Sequence, residues 1–253
     1  MPGKLILVGA GPGDPELISV KGLKAIQQAD IILYDALVHP DLLENTGPDA
    51  EKIYVGKRGG YRSVKQQLIN EMIVEHTLAG KNVVRLKGGD PFVFARGREE
   101  IDYASNFGII SEVIPGISSV NLAGYYGIPL TVRGINESFW VVTATTSSGE
   151  LSADLTLAAQ SSATVVILMG LRKIDQITEL FSKFRSADTP AVIISRGSHL
   201  DGKVFFGKVG DISEKRGEAG SPSMIIIGKA ISTHPDYDAI VNSLIEKESH
   251  DIG

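Results

Sequence analysis

Short apolar runs, several of them ending in glycine-rich turns, alternate with longer amphipathic stretches along this chain of 253 residues. Runs in the first half have the length and the β-branched content of buried strands: Leu5–Val8, Ile31–Tyr34, Lys52–Val55 and Asn82–Leu86. The stretches between them carry apolar residues at helical spacing, as in Pro15–Gln28. Alternating strands and helices are typical of a mostly parallel sheet covered by helices. The sequence therefore predicts an α/β fold.

A second series of strands follows the glycine-rich first half. The change falls between Ile128 and Ser138, and we expect two α/β domains, residues 1–133 and residues 134–253. The predicted strands of the second half are Phe139–Thr143, Thr164–Leu168, Ala191–Ser195, Val204–Gly207 and Ser223–Ile227.

Composition excludes several classes of protein and site. Hydrophobic residues make up 43% and charged residues 22% of the chain, as in an ordinary globular protein. There are no cysteines, and the five histidines lack the close spacing of metal ligands, so we expect no metal site. A net charge of −5 argues against a nucleic-acid partner. The sequence has no apolar run of about 18 residues and no leader-like N-terminus, so we expect no membrane partner and a cytoplasmic location.

The first predicted strand ends in a glycine-rich turn, Gly9-Ala10-Gly11-Pro12-Gly13-Asp14-Pro15. Such a turn lets backbone N–H groups approach a ligand closely, and the helix start that follows favours anions. The dinucleotide fingerprint GxGxxG requires a glycine where this chain has Asp14, which disfavours an NAD site. A site for another ligand and a tight turn without a ligand both stay open.

A second glycine turn, Gly88-Gly89-Asp90-Pro91, follows the predicted strand Asn82–Leu86. Its aspartate could accept hydrogen bonds from a ribose or an amino group, although the same residues are also ordinary turn formers. Ligands of open α/β sheets bind outside the carboxyl ends of the strands. Two such turns therefore indicate a ligand site more strongly than one.

Asp35 and Lys57 follow two further predicted strands. A carboxylate and an ammonium group at neighbouring strand ends could act as a proton-transfer pair. Spacing alone favours a simpler interpretation, in which Asp35 caps a turn and Lys57 is solvated, because structural ion pairs outnumber catalytic ones.

Five longer motifs occur in a fixed order: VGAGPGDPELISVKGLKAIQQADIILYDALV, GKRGGYRS, VVRLKGGDPFVFARGREE, VIPGISS and YYGIPLT. Together they closely resemble the tetrapyrrole (corrin/porphyrin) methyltransferases, almost continuously over Lys4–Arg133 and more thinly through LMG, SRGS and SPSMIIIGK. The resemblance implies two α/β domains with S-adenosyl-L-methionine in the cleft between them, and a homodimer. It also implies the transfer of two methyl groups to uroporphyrinogen III, giving precorrin-2 by way of precorrin-1 on a route to siroheme or cobalamin.

The resemblance assigns roles to particular residues. The proton-handling pair falls on Asp35 as acceptor and Lys57 as donor. Cofactor contacts fall on Pro12, Gly88, Gly89, Asp90, Val93, Ser118, Ser119, Met169 and Gly197. Arginines in or beside the motifs are expected to bind the substrate carboxylates: Arg58, Arg62, Arg85, Arg96 and Arg133. Residues 1–133 would hold the catalytic pair, the substrate side and most cofactor turns, and residues 134–253 would complete the cofactor site.

Three places depart from the usual family pattern. The segment Phe94–Glu100 reads FARGREE where relatives commonly have FGRGGEE, Val132 stands in place of a histidine, and Thr143–Thr145 stands in place of a TGH-like turn. These departures bear on which tetrapyrrole is bound. The alternatives are a related methyltransferase acting on a later corrin intermediate, an NAD-dependent dehydrogenase, and a protein that binds tetrapyrrole or cofactor without catalysis.

Overall fold

The computed structural model describes residues 3–56, 65–146 and 148–241. The described chain forms two five-stranded sheets with helices in the connections between strands, which confirms the predicted α/β class. Among the helices of these ranges, none has both the length and the apolar character that crossing a bilayer requires.

The first unit, Met1–Ser119, is built on a parallel sheet. Its strands and helices are β1 (Leu5–Gly9), α1 (Val20–Gln27), β2 (Ile31–Tyr34), β3 (Glu51–Tyr54), α2 (Gln66–Leu78), β4 (Val83–Lys87), α3 (Gly97–Ser105) and β5 (Ser111–Ile114). The strands are ordered β3-β2-β4-β1-β5, and every neighbouring pair is parallel. The carboxyl ends of all five strands therefore lie along one edge of the sheet.

Apolar side chains cover both faces of this first sheet. Successive residues of a strand point to opposite faces, and successive residues of β1 are apolar and buried. On one face, Val8 packs with Ile26 of α1. On the other face, Leu7 packs in a cluster with Ile73 of α2 and Ala104 of α3. Burying a valine, leucine or isoleucine side chain stabilises the folded state by about 1.5–3 kcal/mol. The apolar layers on the two faces therefore stabilise the sheet and fix the positions of its strand ends.

The second unit, Val120–Gly253, has a mixed sheet. Its strands and helices are α4 (Leu122–Tyr125), β6 (Phe139–Thr143), α5 (Ala153–Gln160), β7 (Thr164–Leu168), α6 (Ile174–Ser182), β8 (Pro190–Ser195), β9 (Lys203–Lys208), α7 (Ile212–Lys215) and β10 (Ser223–Ile227), followed by a helix that begins at residue 237. The strand order is β6-β7-β10-β8-β9. Only the β6–β7 pair among these described strands is parallel.

The expectation of mostly parallel strands is therefore correct for the first sheet and wrong for the second. The connection between β8 and β9, residues 196–202, shows why. It is shorter than the dozen or so residues that a parallel crossover needs, so the two strands pair in antiparallel fashion.

The two units divide between Ser119 and Val120, earlier than the boundary expected after Arg133. Val120, Leu122 and Ile128 belong to the same buried apolar cluster as Val166 of β7. The chain thus joins the core of the second unit before the first strand of that unit begins.

Candidate active site

Glycines bring the turns after β1, β4 and β5 into backbone contact at the carboxyl edge of the first sheet. The Gly89 N–H donates to the Gly11 carbonyl at 2.7 Å, and the Gly11 N–H donates to the Gly89 carbonyl at 3.3 Å. A Cβ atom on Gly9 would lie 2.4 Å from the nitrogen of Gly116, and one on Gly116 would lie 2.3 Å from the Gly89 oxygen. Only glycine permits such close backbone packing.

Asp90 joins the turn after β4 to the turn after β5. Its Oδ2 accepts a hydrogen bond from the Gly116 N–H at 3.2 Å, and its Oδ1 accepts one from the Phe92 N–H at 2.8 Å. Within the part of the chain that the structure describes, the side of Gly89 where a side chain would stand is open. Apart from the chain neighbours of Gly89, a Cβ there would have no described neighbour closer than the Ser119 nitrogen at 3.8 Å and the Ser118 Cα at 4.0 Å. The structure thus brings four of the predicted cofactor residues together: Gly89, Asp90, Ser118 and Ser119.

The other predicted cofactor residues of the first unit lie in the same turns. Pro12 follows Gly11 directly. Gly88 packs so tightly that an added Cβ would lie 2.4 Å from the Cβ of Leu37. Val93 is exposed in the segment that leads into α3.

The two predicted cofactor residues of the second unit, Met169 and Gly197, follow β7 and β8. Met169 is exposed and has a positive φ of 57°. Arg196 and Ser198, which flank Gly197, have φ values of 48° and 62°. Left-handed conformations cost energy in residues with a side chain and cluster at ligand sites.

Positive φ values mark predicted site residues in the first unit as well. Phe94 (φ 54°) is the neighbour of Val93, and Arg96 (φ 60°) is itself a predicted substrate residue. Every non-glycine residue with positive φ in the described ranges therefore coincides with, or adjoins, a residue selected from the sequence.

Asp35 follows β2, and both of its carboxylate oxygens have partners. Oδ1 accepts a hydrogen bond from the Leu37 N–H at 3.0 Å, so Asp35 does cap the following turn. Oδ2 lies 3.3 Å from Nη2 of Arg85. The side chain keeps 24% of its surface exposed. Its expected partner Lys57, like Arg58 and Arg62, lies outside the described residues.

Arg85 belongs to a buried charged cluster beneath this edge of the sheet. Its Nε lies 3.1 Å from Oε1 of Glu100, and Nζ of Lys87 lies 2.9 Å from the same oxygen. Gln66 of α2 donates to that oxygen as well, at 3.1 Å. Burial lowers the pKa of Lys87, and the positive charge of Arg85 lowers it further.

The remaining predicted arginines differ from Arg85 in exposure. Arg96 is exposed, and its Nε and Nη2 bind the two carboxylate oxygens of Glu99 at 2.9 and 2.6 Å. The hydrogen bond to Glu99 raises the pKa of Arg96, and the same bond lowers the pKa of Glu99. Arg133 is exposed on the second unit. Arg96 and Arg133 are therefore accessible from solvent, whereas Arg85 is buried.

A family model described as Tetrapyrrole (Corrin/Porphyrin) Methylases matches residues 4–213. The chain belongs to the tetrapyrrole methylases. Most of both units lies within the match, which confirms the family resemblance seen in the sequence motifs.

Individual curated proteins are similar to this tetrapyrrole methylase along most of its length. It is 46% identical over 237 residues to a uroporphyrinogen-III C-methyltransferase of Methanocaldococcus jannaschii, covering 92% of this chain and 98% of that protein. It is 44% identical over 229 residues to a siroheme synthase of Tolumonas auensis, covering 90% of this chain and 49% of that protein. The chain therefore spans about half the length of this second relative.

A solved tetrapyrrole methylase shares the fold. It is the uroporphyrin-III C-methyl transferase of Thermus thermophilus, crystallised with S-adenosyl homocysteine. The TM-score is 0.80 at 34% identity, and the match covers 91% of this chain and 100% of that one.

Sequence reasoning missed Glu100, Lys87 and Gln66 as neighbours of the candidate site in this tetrapyrrole methylase. A signal was present in β4, where Arg85 and Lys87 alternate with apolar residues of a buried strand. Two cations on one buried face require a buried anion nearby. That requirement identifies the kind of partner but not its position in the chain.

Proposed function

We propose that this tetrapyrrole methylase transfers two methyl groups from S-adenosyl-L-methionine to uroporphyrinogen III, giving precorrin-2 by way of precorrin-1. The observation that carries this proposal is the similarity to the Methanocaldococcus jannaschii enzyme, which extends over nearly its whole length. The match to the siroheme synthase covers 49% of that protein, so no further siroheme-forming step is assigned to this chain.

The turns at the carboxyl edge of the first sheet fit the proposed cofactor. The open side of Gly89 leaves room for a ligand against the backbone, and Asp90 fixes the surrounding turns through two backbone N–H groups. We assign cofactor binding to these residues together with Pro12, Gly88, Val93, Ser118, Ser119, Met169 and Gly197. When bound, the sulfonium of the cofactor supplies an electrophilic methyl group, and the protein's contribution is to hold the reacting carbon in line with it.

We assign proton handling to Asp35 and Lys57. Methylation of a ring carbon leaves a proton to be removed as the macrocycle rearranges, and a positioned carboxylate accepts such a proton. Asp35 suits this role because it is partly exposed at a strand end, with its Oδ1 held by the Leu37 N–H. Lys57 would return a proton as the donor of the pair.

The substrate is rich in carboxylates, and we assign their recognition to a set of arginines. Arg96 and Arg133 present guanidinium groups at the surface, and Arg58 and Arg62 belong to the same proposed set. An exposed guanidinium can bind a carboxylate through two parallel hydrogen bonds. Glu99 would have to release Arg96 for this purpose.

We further propose that the protein is a cytoplasmic homodimer, as the sequence and its family resemblance lead us to expect. Sedimentation equilibrium of the purified protein should give twice the mass of one chain. A single-chain mass at micromolar concentration would contradict the dimer, and detection in the membrane or secreted fraction of its host would contradict the location.

The first test is an anaerobic incubation with uroporphyrinogen III and S-adenosyl-L-methionine carrying an isotope-labelled methyl group, with the tetrapyrrole product read by mass. Two methyl increments are expected. No increment, with the cofactor still bound in a calorimetric titration, would instead favour a methyltransferase of a later corrin intermediate. Absence of both methylation and cofactor binding would contradict the proposed function altogether.

A further inference from the structure

The side chains of Asp35 and Arg85 lie on the same face of the first sheet. Leu33 of β2 is in register with Arg85 of β4, and Asp35 follows Leu33 by two residues, which returns it to the same face. The result is the 3.3 Å approach of Arg85 Nη2 to Asp35 Oδ2. Only 4% of the Arg85 side chain is exposed, so this contact is shielded from solvent on the arginine side.

Hydrogen bonds other than the one to Asp35 fix the orientation of the Arg85 guanidinium. Its Nε donates to Glu100 Oε1 at 3.1 Å, and its Nη1 donates to the carbonyls of Leu86 at 2.8 Å and Leu33 at 3.3 Å. A planar guanidinium held by three partners presents its remaining nitrogen in one direction. Nη2 is therefore a rigid donor aimed at the carboxylate of Asp35.

Charge balance within the cluster favours the same contact. Arg85 and Lys87 contribute two cations, and Glu100, which is fully buried, contributes one anion. The Asp35 carboxylate supplies the second negative charge. Because a buried charge without a partner is strongly destabilising and Lys87 shares Glu100, Arg85 takes the Asp35 carboxylate as its second anionic partner.

We propose that Arg85 is a positioning residue, which orients the Asp35 carboxylate for proton transfer while the Leu37 N–H fixes its other oxygen. The proposal rests on the proposed function. In this proposal Arg85 binds the Asp35 carboxylate, whereas from the sequence it is expected to bind the carboxylates of the substrate.

The test compares Arg85→Met with Lys87→Met, a matched change on the same strand and the same face. Both variants remove a cation from Glu100, but only Arg85 donates a hydrogen bond to Asp35. We expect Arg85→Met to lower kcat about 100-fold with KM for uroporphyrinogen III within about twofold, and Lys87→Met to lower kcat less than about threefold. A raised KM at unchanged kcat would overturn the proposal in favour of substrate contact. Equal losses of kcat in the two variants would overturn it in favour of a purely structural role.

A double variant separates action through Asp35 from a direct effect. In an Asp35→Asn background, Arg85→Met should cause no further loss of single-turnover methyl transfer. A loss as large as in the wild-type background would contradict positioning. This comparison shows whether the two changes act on one and the same step.

Folding and the proposed function each have their own control. If Arg85→Met does not fold, Arg85→Lys is tested, because lysine keeps the buried charge but cannot make all the hydrogen bonds of the planar guanidinium. A lower kcat at unchanged KM is expected for Arg85→Lys, and a wild-type kcat would overturn the proposal. Wild-type protein is assayed first. Inactive wild type would overturn both the proposed function and this inference, whereas active wild type with unaltered Arg85 variants would overturn the inference alone.

Discussion

A Cβ atom on Gly116 would lie 2.7 Å from the Cα atom of Gly9, so the turns after β5 and β1 touch through their backbones. The side chain of Asp90, in the turn after β4, accepts a hydrogen bond from the Gly116 N–H and so joins a third turn to this contact. The candidate cofactor turns of the first unit thus form one packed backbone assembly rather than three independent loops.

Gly116→Ala is expected to separate these turns. The new methyl group would meet the Gly89 oxygen at 2.3 Å, which is backbone and cannot move aside as a side chain can. We expect a loss of about 1–3 kcal/mol in the free energy of unfolding, measured by urea denaturation, and weaker binding of S-adenosyl homocysteine by calorimetry. Gly124→Ala is the control, because a Cβ there would meet no described atom within 4 Å apart from its chain neighbours and the backbone of its own helix. This variant should be as stable as the wild type or slightly more so. Equal stability of the two variants would show that the turns adapt.

Asp35→Asn is expected to lower the rate of methyl transfer by about 10²–10⁴-fold, because an amide cannot accept the proton. Cofactor affinity should stay within about twofold, since Asp35 is not among the residues assigned to cofactor binding. Asp41→Asn is a control in the connection between β2 and β3, where the Asp41 side chain is 64% exposed. Its rate should equal that of the wild type. A similar rate in both variants would remove Asp35 from the mechanism.

Arg185→Met is expected to destabilise the second unit. The guanidinium donates to a set of backbone carbonyls, at distances between 2.8 and 3.4 Å: Ala158, Ala159, Ala163 and Ile227. Burial lowers the pKa of Arg185, and the carbonyls accept hydrogen bonds from its N–H groups. Methionine would remove these hydrogen bonds from partly buried carbonyls, at a cost of about 3 kcal/mol in unfolding free energy. Lys183→Met, at an exposed site nearby, should change stability by no more than about 0.5 kcal/mol.

Ionisation of the buried Tyr237 is expected to lower the stability of the folded protein at high pH. Burial, and then the carboxylates of Asp211, Asp238 and Asp188, raise the pKa of Tyr237 from 10.0 to about 12. The folded state therefore keeps the proton while the unfolded chain loses it, so this contribution is complete below pH 10 and declines as the pH rises towards 12. Relative to Tyr237→Phe, wild type should lose about 1.3 kcal/mol of stability between pH 9 and pH 11, measured by denaturation at each pH. A constant difference would show that the Tyr237 hydroxyl ionises equally in both states.

The strand pattern of the sequence predicts most of the fold because buried strands have a strong local signature. The predicted strands Ile31–Tyr34, Phe139–Thr143 and Ser223–Ile227 coincide with β2, β6 and β10. Strand direction in the second sheet was harder to predict, because the apolar runs of parallel and antiparallel strands look alike. The short connection at residues 196–202 carried the missing information.

The site was predicted unevenly for a different reason. The position of the glycine turns and of Asp35 at strand ends was predictable because it can be read from a single segment. The environment of Arg85 depends on Glu100, 15 residues further along, and on the rotation of α3 against the sheet. Its place in a family motif therefore suggested substrate binding for an arginine that the fold buries.

The position of β10 governs the order in which the second sheet can form. It is synthesised last of the ten described strands, yet it lies between β7 and β8 and pairs with both. During translation, β7 and β8 leave the ribosome with their inner edges unpaired and must wait for residues 223–227. The first sheet, whose strands end at Ile114, can be complete long before that. The nascent second unit is thus the part of the chain most exposed to misassembly and chaperone capture.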